Sequence, residues 1–265
     1  MTRLRTNLKH LLALAPDPRE PNGATVLIYH RVGGPGRDEL DVTVADFERQ
    51  LDVLSSHRVD ALDEAVAALE SGDAAHRVVI SFDDGFRDVY ENAWPRLRDR
   101  GLPFIVYVAS SRIDATMDWA GSTAKETGVP ALTWTQLGEM VQSGLCTVGN
   151  HTHSHVRPEL LSENELDRCT ETVQQQLGVT PEHFAFPWGQ PVPQLDPALR
   201  TRFRTAATSQ VTRNVPGVDL MRLGRVPVRG SDPVPFFAAK LRGELLAERL
   251  YGVAVSTAKR AGAHA

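Results

Sequence analysis

Seven short apolar, β-branched runs recur along the chain, at 25–29, 78–82, 104–108, 145–148, 184–186, 203–207 and 223–228. Runs of this length, bounded by polar residues, are strands buried on both faces. Helical patterns lie between them. The clearest spans 43–56, where Phe47, Leu51 and Leu54 fall on one face. Another spans 162–177: Ser162 and Glu165 have capping-box spacing, Leu166, Cys169, Val173 and Leu177 line one side, and Gly178 stands where a helix stops. Thr133, Gln136 and Gly144 bracket a third in the same way. Strand and helix in alternation predict a parallel sheet. Seven or eight such strands without a break favour an α/β fold, a distorted (β/α) barrel of about seven parallel strands, over an open sheet. At 265 residues such a barrel is one domain over 24–265, preceded by a basic extension at 1–23. In either architecture the loops after the strands' C-terminal ends gather on one face, where substrates bind.

Composition narrows the partners. With 42% hydrophobic and 23% charged residues the chain can bury a sizeable core, and a net charge of -4 offers no field for a phosphate backbone, which excludes nucleic acid. Two cysteines, Cys146 and Cys169, lack zinc-knuckle spacing and read as small core residues. The extension carries Arg3, Arg5 and Lys9, but its apolar run at 11–15 is shorter than the hydrophobic region of a signal peptide. The expected location is the cytoplasm. A plain surface helix or frayed tail is the primary reading of the extension; a basic amphipathic helix over 3–15, in weak contact with the inner membrane face, is the secondary one.

Ionisable groups accumulate where the runs end: Tyr29 and His30 after the first, Asp83 and Asp84 after the second, and 151–155 after the fourth. Alone, an Asp-Asp-Gly is a turn and a strand-end histidine is a partner of some carbonyl. Together they are harder to dismiss. His151 and His155 stand four residues apart, a spacing that aims two ring nitrogens at one point. A catalytic divalent ion wants a third protein ligand and an open position, and Asp83 or Asp84 can complete the set. Successive side chains on a strand diverge, so one carboxylate binds the ion and the other stands beside the attacking water as general base. Two histidines and a carboxylate also form the iron site of oxygenases, against which the second adjacent carboxylate argues.

Ser81-Phe82-Asp83-Asp84-Gly85 followed by His151-Thr152-His153-Ser154-His155 resembles the polysaccharide deacetylase family, which includes the nodulation-factor chitooligosaccharide deacetylases. The resemblance, over roughly 24–230, implies Asp83 as base, Asp84, His151 and His155 as metal ligands, and His153 on a variable position. Tyr29-His30-Arg31-Val32 and Phe184-Ala185-Phe186-Pro187-Trp188-Gly189 resemble the branch found in exopolysaccharide and capsule pathways. That family implies a distorted barrel, a divalent metal that is commonly Zn2+ and sometimes Co2+ or Ni2+, and an acetylated saccharide as substrate.

Two departures from the family pattern shape the remaining assignments. The arginine ahead of the aromatic-proline motif is not in its usual place, and Arg222 or Arg225, with Arg225 preferred, can instead hold Asp83 ionised. The late Leu-x-His motif that often supplies the acid is missing; after His183 only His264 follows. His30, at a strand end and with an unperturbed pKa near 6.5, is the candidate acid. Trp188, between a proline and a glycine, can form the wall on which a sugar's apolar face packs. Trp119 and Trp134 border a loop long enough to be a lid and receive no role. The alternative to an enzyme is a catalytically inactive sugar-binding module on the same scaffold.

Overall fold

The computed structural model describes residues 2–13, 22–34, 38–119, 121–122, 124 and 128–253. His264 and parts of the extension lie outside them. In chain order the strands are β1 (Ala24–Tyr29), β2 (Arg31–Val32), β3 (Asp41–Val42), β4 (Arg77–Phe82), β5 (Phe104–Val108), β6 (Cys146–Asn150), β7 (His183–Ala185), β8 (Thr205–Ala207) and β9 (Val226–Pro227). The helices are α1 (Thr2–Leu12), α2 (Val44–Leu54), α3 (Leu62–Glu70), α4 (Trp94–Asp99), α5 (Trp134–Gln142), α6 (Glu163–Leu177), α7 (Asp196–Arg202) and α8 (Val234–Leu241).

Seven strands form one curled sheet in the order β8-β7-β6-β5-β4-β1-β9, every pair parallel, as the alternation predicts. Chain crossovers place helices outside. Along β4, Val78, Ile80 and Phe82 pack outward in the main core with Phe47 and Leu51 of α2, while Val79 turns inward. The lumen is filled by Val26, Val79, Ile105 and Tyr107, and α3 plugs the end where the strands begin, inserting Leu62, Ala65, Val66 and Leu69. Gly149 makes room there: a Cβ on it would lie 2.3 Å from the Tyr107 ring.

The sheet closes through a single segment. Leu223 forms a parallel bridge with Ala207 of β8, and three residues later Val226 pairs with Leu27 of β1. The run at 223–228 therefore spans both edges, and only Val226–Pro227 form β9, because the N–H groups of Leu223 and Arg225 bond instead to Ala206 and Gln210. The run at 203–207 is likewise shortened, since the N–H of Phe203 still bonds to Leu199 at the end of α7.

Both cysteines are free and buried. The first eleven-residue helix, α1, is tied to the body by Lys9, whose ammonium is fully buried 2.6 Å from Asp232 and 2.6 Å from Ser231, under the Tyr251 ring. Leu4 and Leu11 remain exposed on its outer side. Among the described residues no helix is long and apolar enough to cross a membrane.

Candidate metal centre

The parallel register brings the strand ends level. Tyr29 is paired with Phe82 and Val108 with Asn150, so His30, Asp83 and His151 follow their strands at one rim. The N–H of Asp83 donates to the carbonyl of Tyr29 at 2.9 Å, and that of His151 to Val108 at 3.0 Å, which carries the ladder one residue past each strand. Strand alternation then points Val79 and Asp83 to the lumen side.

The two adjacent carboxylates part at this rim. Asp84 has φ 75° and Gly85 φ 89°, so the chain turns through the left-handed region at a non-glycine residue, a strain that the surroundings must hold. Asp84 Oδ1 lies 3.4 Å from His151 Nε2 and 3.2 Å from His155 Nε2. Donor atoms of these three buried residues all lie within 4.8 Å of one another. Asp83 turns instead to Arg225, which donates from both terminal nitrogens to its two oxygens at 2.6 and 2.8 Å. Its nearer oxygen is 3.9 Å from His151 Nε2. Arg222 is engaged elsewhere, paired with Asp196.

The histidine loop is held by α6. The Asn150 amide donates to Leu166 and Thr170, and the Glu165 carboxylate accepts from the N–H and hydroxyl of Ser154 at 2.8 and 3.3 Å. That contact takes the Glu165 carboxylate out of the capping box the sequence predicts, and Ser162 makes no side-chain cap. The Thr133–Gln136 box does form. His153 faces away, its Nδ1 2.9 Å from the Ser110 hydroxyl. Thr152 and His155 both have positive φ, 70° and 52°, which coils the loop so that His151 and His155 converge.

The donor set fits a divalent ion. Bonds of about 2.1 Å at tetrahedral angles put neighbouring ligand atoms about 3.4 Å apart, and the Asp84–His151 and Asp84–His155 separations of 3.4 and 3.2 Å match that edge. His151 Nδ1 is 2.8 Å from the Ala185 carbonyl, so that nitrogen carries the proton and Nε2 is left as a donor pair for the site. Three protein ligands with one open side is the pattern of a catalytic rather than a structural site.

Electrostatics separate the groups further. Burial pushes the Asp84 carboxyl up, but the neighbouring imidazoles of His155 and His151 outweigh it and leave the group well below the usual carboxylate range. Burial also works against ionisation of Asp83; Arg225 and His151 reverse it, so the acid stays ionised. Burial lowers the His30 imidazole, with Asp84 and Asp83 pulling the other way.

A cleft of about 380 Å³ opens over these residues, with Asp83, Asp84 and His151 at its floor, His30 and Arg225 on its wall and Trp188 at its mouth. Trp188 is 37% exposed and adopts φ 62°, its ring 5.6 Å from that of His155. Gly121 lets it lie flat, since a Cβ there would be 2.5 Å from the indole. Trp119, assigned no role from its position in the chain, has its ring 4.4 Å from that of His155. No spacing signals that contact, because the loop between β5 and α5 creates it.

Comparison with known proteins agrees with this geometry. A family model described as polysaccharide deacetylase matches residues 71–202, a stretch containing Asp83, Asp84, His151, His155 and Trp188 but neither His30 nor Arg225. The chain is 31% identical to IcaB from Ammonifex degensii, whose solved structure superposes with a TM-score of 0.73, covering 84% of this chain and 98% of that one. The deacetylase PplD of Streptococcus pyogenes, solved in complex with acetate, shares the fold at 20% identity, with a TM-score of 0.69 over 84% of this chain and 99% of that one. A poly-beta-1,6-N-acetyl-D-glucosamine N-deacetylase of Staphylococcus epidermidis is 29% identical over 170 residues, 56% of either protein. The chain therefore spans just over half the length of that curated relative.

Proposed function

The chain belongs to the polysaccharide deacetylase family, and from that premise we propose that it is a divalent-metal-dependent hydrolase that removes N-acetyl groups from an amino-sugar polymer, oligomer or lipid-linked saccharide. One observation carries the reading: Asp84 Oδ1 within 3.4 and 3.2 Å of two imidazole nitrogens, beside a second carboxylate that an arginine grips at both oxygens. The names of the relatives support the same class of substrate, an acetylated glucosamine polysaccharide.

Asp84, His151 and His155 would hold the ion. Bound there, a divalent cation, with Zn2+ favoured and Co2+ or Ni2+ able to substitute, supplies Lewis acidity toward an acetyl carbonyl and acidifies the attacking water. Asp83, kept ionised by Arg225, receives the proton that the water loses as its oxygen adds to the carbonyl carbon. His30 donates a proton to the amide nitrogen as the C–N bond breaks, releasing acetate and the free amino sugar. Trp188 offers an apolar face to the pyranose ring at the mouth. The inactive-module alternative gains no support, since base, arginine partner and ligand set share one cleft.

The test is acetate release from N-acetylglucosamine oligomers by the metal-loaded protein, before and after Asp83→Asn. Loss of a general base lowers turnover by about 10²- to 10⁴-fold, and here it should do so with metal content unchanged. Equal release by wild type and variant would remove Asp83 from the mechanism.

A further inference from the structure

The two imidazoles of the site are held by different means. His151 has the usual support of a ligating histidine, its Nδ1 hydrogen-bonded to the carbonyl of Ala185 at 2.8 Å. His155 Nδ1 is buried and, among the described residues, has no hydrogen-bond partner at all. The ring is nonetheless confined. Trp119 lies against it at 4.4 Å between centroids with 35° between planes, and Trp188 closes on it at 5.6 Å.

Trp119 is itself fixed by the loop between β5 and α5. It belongs to a small separate core with Phe86, Met117, Ala124, Val129 and Ala131, and is nearly buried. Phe86, two residues after the ligand Asp84, lies 6.3 Å from the indole. The Leu132 N–H donates to Gly85 O at 2.9 Å in the same turn, and Ala131 N–H to Ala115 O at 2.9 Å and Met117 N–H to Val129 O at 3.0 Å join the two arms of the loop. One indole thus touches both the histidine-bearing turn and the neighbour of the carboxylate-bearing one.

We propose that Trp119 is the positioning residue for the third metal donor. Its face takes the place of the outer hydrogen bond that His155 lacks, so that retention of the ion depends on the packing of Trp119 in that small core. An aromatic face restrains a ring in tilt and translation without polarising it, so the hold on His155 depends on the indole staying in place. The inference rests on the metal site proposed above.

The test uses the full chain stripped by a chelator and titrated with Co2+, whose visible absorption reports ligand geometry, in competition with a coloured indicator. Trp119→Leu should bind Co2+ about tenfold more weakly or worse, the scale of a lost outer contact, with altered bands, while Trp119→Phe, which keeps a ring face, should stay close to wild type. Trp119→Met fills the loop core without a ring and should show the same loss, which keeps the test decisive where the leucine variant does not fold. Wild-type affinity and bands in Trp119→Leu or Trp119→Met would overturn the inference. A wild type that takes up no Co2+ would instead sink the metal-site reading itself, and the inference with it.

Discussion

Arg225 and Asp83 meet across the seam of the barrel, both side chains almost wholly buried, with two parallel hydrogen bonds of 2.6 and 2.8 Å between guanidinium and carboxylate. Arg225 is also held from behind, its Nε donating to the Thr208 carbonyl at 3.1 Å. The pair is thus both a latch on the closing segment and the means by which Asp83 stays ionised.

Replacing Arg225 by Lys keeps a charge but loses the planar fork. Burial alone raises Asp83, and Arg225 is the first of the groups that bring it down. Weakening that partner raises the carboxyl, so more of the base is protonated at a given pH. The acid-side limb of kcat/KM should move to higher pH in Arg225→Lys. Arg225→Ala should also destabilise the fold by about 3–5 kcal/mol, since it strands a buried charge. A pH–rate profile and a urea titration check both, and an unmoved acid limb would detach Arg225 from the base.

Chelator dialysis should abolish deacetylation, and Zn2+ or Co2+ should restore it. Asp84→Asn and His151→Gln should each lower metal occupancy, whereas Asp83→Asn should retain it, because Asp83 faces Arg225 rather than the imidazole pair. Mass-spectrometric metal content distinguishes the two carboxylates; equal losses in both aspartate variants would contradict the division of labour.

His30 lines the cleft, and its Nδ1 is buried without a partner among the described residues. An acid matters most when the leaving group is poor. His30→Gln should therefore cost about 10²-fold or more in amide deacetylation and much less with an activated acetyl ester such as 4-nitrophenyl acetate. Parallel assays on both substrates check it, and an equal loss on each would assign His30 to positioning rather than proton donation.

His76, at the approach to β4 and 3.3 Å from the Thr25 hydroxyl, is lowered to about 4 by burial, with His57 and Arg213 adding repulsion. Between that value and its unfolded value near 6.5 the unfolded chain binds a proton that the folded one does not. Stability therefore falls as pH drops through this window. His76→Gln should flatten the decline, read as the urea midpoint at pH 4.5 against pH 7; an unchanged slope would remove His76 from the acid response.

Much of the scaffold was legible in the chain because buried parallel strands leave nearly continuous apolar runs, and β1, β4 and β5 lie within a residue of those runs. The convergence of Asp84, His151 and His155 was legible because residues that end such strands share a rim. What distinguishes Asp83 from Asp84 was open to the family resemblance but not to strand periodicity, since it depends on a left-handed φ at Asp84 and on a guanidinium far along the chain. Lys9 was also hidden: a lysine in a basic helix reads as solvated, and only the fold brings Asp232 to it. The capping box at Ser162 failed for a similar reason, a long-range competitor for Glu165.

The run that shuts the barrel has a consequence in time. On a ribosome the guanidinium of Arg225 appears 142 residues after the carboxylate it restrains, a delay on the order of 10 s at ordinary elongation rates. Until then a nascent chain carries Asp84, His151 and His155 but neither a sealed sheet nor the partner of Asp83. Under the proposed reading hydrolytic competence is therefore acquired late in synthesis, since a chain ended before residue 223 lacks the guanidinium that pairs with Asp83.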